Sequence, residues 1–152
     1  MTEDLDTMNP KPHFQRQIYQ HLVQAKLFMD QHYDAGINLD RIAACAFFSK
    51  FHFIRVFRSV YGKTPNQYLA SVRIEQAKER LKNGSTITDA CWQVGFHSLG
   101  SFKVLFKQMT HLTPGAYQKK QMDLKNAMNA SPDKFIPGCL LRKKSNFQDR
   151  PR

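Results

Sequence analysis

The sequence predicts an all-α protein of about seven helices, in which two helix-turn-helix subdomains are joined by a long connecting helix. The first observation behind this prediction is a pattern that occurs twice, about 49 residues apart. Each copy consists of a short apolar helix, a tight turn and a second helix with one buried and one exposed face. The second observation is that no strong strand pattern precedes residue 134.

The N-terminal part of the chain is predicted to contain two helices. Residues 1–13 are polar and are predicted to be disordered. An amphipathic pattern then runs from residue 14 to about residue 33. After a short connection, residues 39–46 form the pattern of a second, shorter helix.

A turn and a third helix complete the first unit, over about residues 14–62. The turn is predicted at Phe47–Phe48. Ser49 is a favourable N-cap, so the third helix is expected over about 49–61. Gly62 ends this helix, since glycine readily adopts the left-handed conformation of a helix terminus.

The connecting helix is predicted over residues 64–82. A threonine cap followed by proline at the first helical position, as in Thr64–Pro65, is a typical helix start. The second unit follows over about residues 85–120. Its first helix is capped by Thr86 or by Thr88, and the sequence leaves both open.

The remaining elements of the second unit repeat the order of the first. Ser98 is the expected N-cap of a helix over about 98–110. Thr113–Pro114 begins a last short helix that is predicted to end near Lys120. Residues 121–152 are a basic C-terminal tail with an apolar stretch but no predicted structure.

The helices over 49–61 and 98–110 carry apolar residues at i, i+3, i+4 and i+7, which predicts a buried stripe on each. These stripes are Phe53, Val56, Phe57 and Val60 in the first helix and Phe102, Leu105, Phe106 and Met109 in the second. The opposite, exposed faces contain Phe51, Ile54, Arg55 and Arg58 in the first and Gly100, Lys103, Val104 and Lys107 in the second.

Positive charge is concentrated in the part of the chain that carries the repeated pattern. Of the net charge of +11, residues 1–48 contribute −2, residues 49–120 contribute +9 and residues 121–152 contribute +4. Such a surface attracts a polyanion, although a lysine-rich surface also serves solubility alone. Together with the repeat, the charge favours double-stranded DNA as the partner.

The cysteines and histidines indicate no metal site. Cys45, Cys91 and Cys139 are widely spaced and form no CxxC or Cys/His pattern, so neither a disulfide framework nor a zinc site is indicated. Cys45 and Cys91 lie within apolar helical patterns and are expected to be buried. The six histidines occur singly, and we expect no cofactor. No membrane-spanning run or signal peptide is present, which fits the cytoplasm.

Spaced aromatic, glycine and proline residues recur in both units. The second unit contains Ile87-Thr88-Asp89-Ala90-Cys91-Trp92-Gln93-Val94-Gly95-Phe96, then Phe102, Phe106-Lys107, Leu112-Thr113-Pro114 and Tyr117. The first unit contains Ser49-Lys50-Phe51-His52-Phe53, Arg55, Phe57, Gly62, Thr64-Pro65, Tyr68 and Arg73. Over about residues 14–120, this arrangement resembles the signature of the AraC/XylS family of bacterial transcription regulators.

The resemblance implies a DNA-binding domain whose two recognition helices enter adjacent major-groove segments on one face of the duplex. It also implies a transcription regulator at the bacterial nucleoid, with activation through RNA polymerase the commoner outcome. Only about 13 residues precede the first helix and about 32 follow the last. We therefore expect a stand-alone member without a conventional sensor domain, acting as a monomer on an asymmetric site.

Candidate DNA contacts fall on the exposed faces and at the helix starts. The candidate base contacts are Phe51, Ile54, Arg55, Leu99, Gly100, Lys103 and Val104. The candidate phosphate contacts are Ser49, Lys50, Arg58, Lys63, Ser98 and Lys107. Lys103 also has the chemistry of a phosphate contact.

Individual residues keep alternative roles at this point. Arg55 can bond two acceptors of guanine, or it can form an intramolecular salt bridge. Phe51 and Ile54 can contact thymine methyl groups, or they can pack against the core.

The second unit departs from the family pattern on its exposed face. Val104 stands where arginine is common, and Leu99–Gly100 where polar residues are common; Phe47 replaces the usual glycine of the first turn. We therefore predict that the first unit specifies the DNA sequence, whereas the second mainly holds the backbone and senses groove shape.

Three functions other than sequence-specific regulation are conceivable for a basic helical chain of this kind. An enzyme is not expected, because the chain has no phosphate-binding glycine loop, no nucleophile motif and only three acidic residues over 49–120. The alternatives that remain open are a protein-interaction module and a non-specific architectural DNA binder, both retaining the same fold.

Overall fold

A computed structural model describes residues 12–137, and within that range the chain forms helices and turns without a β-strand. The all-α prediction is therefore confirmed. The helices are α1 (Pro12–Gln31), α2 (Leu39–Cys45), α3 (Lys50–Tyr61), α4 (Pro65–Lys82), α5 (Ile87–Gln93), α6 (Leu99–Thr110) and α7 (Pro114–Ala130), followed by a short 3₁₀ helix at Pro132–Phe135. Among the described helices, none is both long and apolar enough to cross a membrane.

Threonine and serine side chains define the helix starts. Thr64 and Gln67 form a reciprocal capping box at α4, in which each side chain accepts a hydrogen bond from the other residue's backbone N–H. Thr86 is the cap of α5, and Ser98 caps α6. Ser49 occupies the N-cap position of α3 as predicted, but the expected capping bond is not formed by its side chain.

The helices enclose two separate hydrophobic cores. The first is formed by α1, α2, α3 and the start of α4, and the second by the rest of α4 with α5 and α6. Each core contains two fully buried phenylalanines that lie one turn apart on one helix, Phe53 and Phe57 on α3 in the first core and Phe102 and Phe106 on α6 in the second. These rings fix which side of α3 and α6 faces outward.

The connecting helix α4 changes its buried side halfway along. Leu69 belongs to the first core, whereas Ile74, Ala77 and Leu81 belong to the second. Because successive residues of an α-helix are about 100° apart, Leu69 and Ile74 point about 140° away from each other. One helix thus serves both cores, and it holds α3 and α6 in one frame.

A polar cluster attaches α1 to α4 beside the first core. The Tyr68 hydroxyl donates a hydrogen bond to Asp30 Oδ1 at 2.7 Å. Lys26 Nζ lies 2.8 Å from Asp30 Oδ2 and 5.4 Å from the centre of the Tyr68 ring. Burial, together with the hydrogen bond to Asp30, raises the pKa of the Tyr68 hydroxyl. The cluster therefore holds α1 in register with α4.

Two members of the predicted buried stripes are exposed. Val60 is 43% exposed and Met109 is 39% exposed, so the prediction that they are buried was wrong. Each lies in the last turn of its helix, and the fully buried part of each stripe ends before it, at Phe57 and at Phe106. The stripe at i, i+3 and i+4 is buried or partly buried as predicted.

Both ends of the helical region extend further than predicted. α7 continues to Ala130 instead of ending near Lys120. The reason is that the chain after Gly115 has no glycine or proline up to Ser131 and is rich in good helix formers. At the other end α1 begins at Pro12, within the segment predicted to be disordered. Residues 1–11 lie outside the described residues, as do residues 138–141 of the apolar stretch.

The cysteines differ in burial. Cys91 is fully buried in the second core, as predicted, and burial raises the pKa of its thiol. Cys45 is exposed, so its predicted burial was wrong. It is the last residue of α2, whose inward side is formed by Ile42 and Ala43. Cys139 lies outside the described residues.

Phe47 adopts a left-handed backbone conformation in the turn of the first unit, with φ of 56°. Gly95 has the corresponding conformation in the second turn, with φ of 88°. This conformation costs a residue with a Cβ atom about 1–2 kcal/mol. The Phe47 side chain is 80% exposed, and its ring lies 5.2 Å from that of His21, so little burial offsets the strain.

We therefore expect Phe47→Gly to raise the free energy of unfolding by up to about 1 kcal/mol, because glycine adopts this φ without steric cost and only part of the gain is lost to backbone entropy. Urea unfolding measures the difference. Phe47→Ala is the control, since it removes the ring but keeps the strained backbone. A glycine variant no more stable than the alanine variant would contradict the assigned strain.

Candidate DNA-binding interface

The outward face of α3 carries basic and apolar side chains. The helix contains no Asp or Glu. Arg55 and Arg58 are exposed, and Phe51 is 77% exposed, which excludes core packing as the role of its ring. Ile54 is partly buried, so part of its side chain packs against the protein and part remains exposed for contact with DNA. The face combines guanidinium groups with apolar contact area, as base edges in a major groove require.

Arg55 is available for an external partner. Within the described residues, neither Arg55 nor Arg58 takes part in an ion pair. The alternative role of Arg55 in an intramolecular salt bridge is therefore not observed. Lys50 differs, because its Nζ lies 3.2 Å from Asp40 Oδ2 of α2. Both groups of that pair are solvent-exposed, so the pair contributes little stability, and Lys50 can exchange it for a phosphate.

The outward face of α6 is also basic, but it has smaller side chains than the outward face of α3. This helix also contains no Asp or Glu. Lys103 and Lys107 are exposed, and Val104 is 60% exposed. Gly100 is exposed, and a Cβ atom added there would meet only Ser98 Oγ, at an ordinary 3.7 Å. Since nothing within the described structure requires glycine at this position, its use is consistent with close approach of an external surface.

Leu99 is only partly available on this face. It is the first residue of α6, and its side chain is partly buried against the second core. Its predicted base contact is therefore restricted to the atoms that remain exposed. Val104 thus offers the larger apolar contact of α6.

The residues at the helix starts are placed differently in the two units. The Ser49 hydroxyl makes no capping bond and is exposed, whereas Ser98 Oγ accepts from Ser101 N at 3.3 Å. Lys63 lies in the connection between α3 and α4, at the edge of a groove of about 450 Å³. The groove is lined by Lys63, Asn66, Gln67, Ala70, Leu105 and Met109. The groove lies between the start of α4 and the second half of α6.

Sequence reasoning did not identify the role of Arg73. Its side chain is partly buried and donates hydrogen bonds to backbone carbonyl oxygens of the connection between α1 and α2. Arg73 and Gly95 both belong to the family pattern, but their spacing along the chain could not show that they lie close together. α4 also contains Lys78, Arg80 and Lys82, so nothing in the local sequence distinguishes Arg73 from the other basic residues of this helix.

No metal centre is evident in the described part of the chain. No three His, Cys, Asp or Glu side chains there are grouped so that they could hold an ion. The chemistry that the faces of α3 and α6 offer is that of hydrogen-bond donors, positive charge and apolar contact.

The chain is similar to known helix-turn-helix transcription regulators. The family model described as "Helix-turn-helix domain" matches residues 42–120. An HTH-type transcriptional regulator in the cgkA 5′ region of Pseudoalteromonas carrageenovora is 33% identical over 95 residues, which are 62% of this chain and 57% of that protein. Two further curated relatives are longer, and the match spans 25% and 31% of their lengths.

Two solved structures share the fold. The DNA-binding domain of AdpA, a global transcriptional factor crystallised in complex with a target DNA, is 26% identical with a TM-score of 0.62, covering 65% of this chain and 90% of that one. An AraC-type regulator from Chromobacterium violaceum is 21% identical with a TM-score of 0.63, covering 68% and 93%. At that identity the second comparison bears on the fold alone.

Proposed function

Because the chain belongs to the AraC/XylS family of helix-turn-helix transcription regulators, we propose that it is a sequence-specific regulator that inserts α3 and α6 into adjacent major-groove segments of double-stranded DNA. The family is one of DNA-binding regulators and not an enzyme family. The observation that carries the proposal is that two exposed helix faces, equivalent in the two units, contain arginine or lysine and no acidic residue. The target DNA in the AdpA structure supports the same partner.

Sequence specificity is assigned mainly to α3. Arg55 is exposed and unpaired within the described residues, and its planar guanidinium can bond both major-groove acceptors of guanine. Phe51 and Ile54 precede it on the outward face of the same helix and supply apolar contact to thymine methyl groups. Arg58, one turn after Ile54, and Lys50 are proposed phosphate contacts.

We assign α6 mainly to positioning the protein on the DNA. Lys103 and Lys107 supply positive charge that contacts the phosphate backbone of the DNA. Lys103 is in addition one of the proposed base contacts. Val104 and Gly100 give a smooth surface that fits a groove by shape. Ser49, Ser98 and Lys63 are proposed to contact phosphates at the helix starts. The two halves are therefore unequal in what they recognise.

At the level of the whole protein, we propose activation of transcription in the bacterial cytoplasm, with RNA polymerase as a further partner. The distinct chemistry of α3 and α6 suits an asymmetric DNA site that one monomer occupies. An architectural binder would share the salt dependence but not the sequence preference. An interaction module would show neither.

Selection of bound DNA from a random pool tests the role of Arg55. We expect the parent to enrich an asymmetric motif and Arg55→Ala to lose preference at one or two adjacent base pairs, by roughly 1–3 kcal/mol. Arg58→Ala should instead weaken binding about equally for all sequences and reduce the salt slope by about one.

Lys125→Ala is the matched control, because it removes one charge from α7, outside both faces. It should leave the enriched motif unchanged. If Arg55→Ala also keeps every base preference, Arg55 is not a base contact. If the parent enriches no motif, binding is not sequence-specific and the proposed function is wrong.

Gly100→Ala separates the fold from the interface. Alanine should stabilise α6 by up to about 1 kcal/mol, because it has the higher helix propensity and meets no clash. If DNA approaches this backbone closely, the same variant binds DNA more weakly despite its higher stability. Parallel urea unfolding and fluorescence anisotropy measure the two effects. Unchanged affinity would remove Gly100 from the interface.

A further inference from the structure

The two helix-turn-helix units meet at a junction centred on Arg73. From the middle of α4, Arg73 Nε donates a hydrogen bond to Tyr33 O at 2.7 Å, and Nη2 donates to Ala35 O at 3.3 Å. Tyr33 and Ala35 lie in the connection between α1 and α2, which belongs to the first unit. The guanidinium also lies 5.9 Å from the ring centre of Phe96, in the second unit. One side chain thus contacts both units.

Gly95 brings the backbone of the second unit into the same junction. It is buried with φ of 88°. A Cβ atom at this position would lie 2.8 Å from Tyr33 O, 3.0 Å from Asp34 O and 3.2 Å from Arg73 Nε. Two of these neighbours are backbone atoms, which cannot move aside without shifting the chain. Only glycine therefore allows the turn of the second unit to rest against the first unit.

The Tyr33 side chain closes the junction. Its ring packs against both hydrophobic cores, and its hydroxyl donates a hydrogen bond to Gln76 Oε1 of α4 at 3.3 Å. Burial lowers the pKa of Arg73, and the nearby Asp34 carboxylate opposes that shift. Two of the donor groups of this partly buried guanidinium are satisfied by backbone carbonyl oxygens, which offsets part of the cost of removing it from water.

α4 connects the two units covalently and contributes to both cores. The junction at Arg73 adds a direct contact between the units, which fixes the angle between them. An 18-residue helix is about 27 Å long. Because Arg73 lies near the middle of α4, a tilt of about 15° at the junction would move either end of this helix by about 3.5 Å, which matches the roughly 3.4 Å rise of one base pair. A small change in the angle between the units would therefore place α6 out of register with its DNA segment.

We propose that Arg73 and Gly95 are spacing determinants: by fixing the separation and angle of α3 and α6, they select the number of base pairs between the two half-sites. They are positioning residues that act through the two recognition helices. This inference rests on the proposed function, and it adds specificity for spacing to specificity for bases. Removing the junction should relax the preferred spacing without removing either recognition face.

The test is a series of DNA duplexes in which the spacer of the parent's selected site is lengthened or shortened by one or two base pairs. We expect the parent to lose on the order of tenfold affinity for a change of one base pair, comparable to a mismatched base. For Arg73→Ala this discrimination should fall to about threefold or less, while affinity for an isolated first half-site remains that of the parent. Arg73→Lys, which keeps the charge, should lie between them.

Two glycines provide a matched control. Gly84 and Gly95 have similar left-handed conformations, with φ of 93° and 88°. An added Cβ atom at Gly84 meets nothing within 4 Å, whereas at Gly95 it meets the first unit's backbone. Gly84→Ala therefore carries the backbone strain without displacing the junction. We expect Gly84→Ala to keep the parent's spacing optimum and Gly95→Ala to shift or broaden it.

A second measurement monitors the junction without DNA. Spin labels at Ser59→Cys in α3 and Gln108→Cys in α6, with Cys45 and Cys139 replaced by serine, report the distance between the two helices. Both labelled positions are exposed. The distance distribution should broaden in Arg73→Ala and remain narrow in Gly84→Ala. Urea unfolding of each variant confirms that the folded protein is being compared.

The outcomes separate this inference from the proposed function. If the parent selects no motif with two half-sites, the proposed function fails and the spacing inference fails with it. If the parent does select such a motif, but Arg73→Ala and Gly95→Ala keep its spacing discrimination and label distance, the spacing inference alone is overturned. Equal loss of affinity at every spacing would likewise overturn it, since that result indicates a role in stability only.

Discussion

The hydrogen bonds from Arg73 to the carbonyl oxygens of Tyr33 and Ala35 are the contacts on which the arrangement of the two units depends. Each unit has its own small core, and α4 contributes to both by turning its buried side between Leu69 and Ile74. Small cores bury limited area and leave little to orient one unit against the other. A charged side chain and close backbone packing at Gly95 supply that orientation.

Within each unit, the buried phenylalanines determine which side chains α3 and α6 present to the outside. Phe53 and Phe57 occupy one side of α3, and Phe102 and Phe106 occupy the same side of α6. The remaining side is exposed in both helices because no other element covers it in the described structure. The same packing solution is thus used twice, while the outward residues differ. Because α3 and α6 share their inward residues but differ in their outward residues, two units of the same fold present two different surfaces.

The fold followed from the sequence wherever a local rule determined the outcome. Thr64 with Gln67, and Gly62 after α3, have the geometry that their chemistry predicts. Exposure of Arg55 could likewise be predicted from helical periodicity. The extension of α7 to Ala130 follows from local sequence as well, because residues 116–131 contain no glycine or proline. The exposure of Cys45 and the junction at Arg73 could not be predicted, because each depends on where another element ends or on residues far apart in the chain. Periodicity gives a direction around a helix but does not show how far a neighbouring core extends.

The most direct test of the account is a hydroxyl-radical footprint of the protein on its selected DNA. Two recognition helices held in one rigid frame should protect two patches on one face of the duplex, about 10 base pairs apart. We expect these two patches, and base-specific interference measured separately on base-methylated DNA should be stronger in the patch assigned to α3. A single patch, or continuous protection that is indifferent to sequence, would contradict recognition by two linked units.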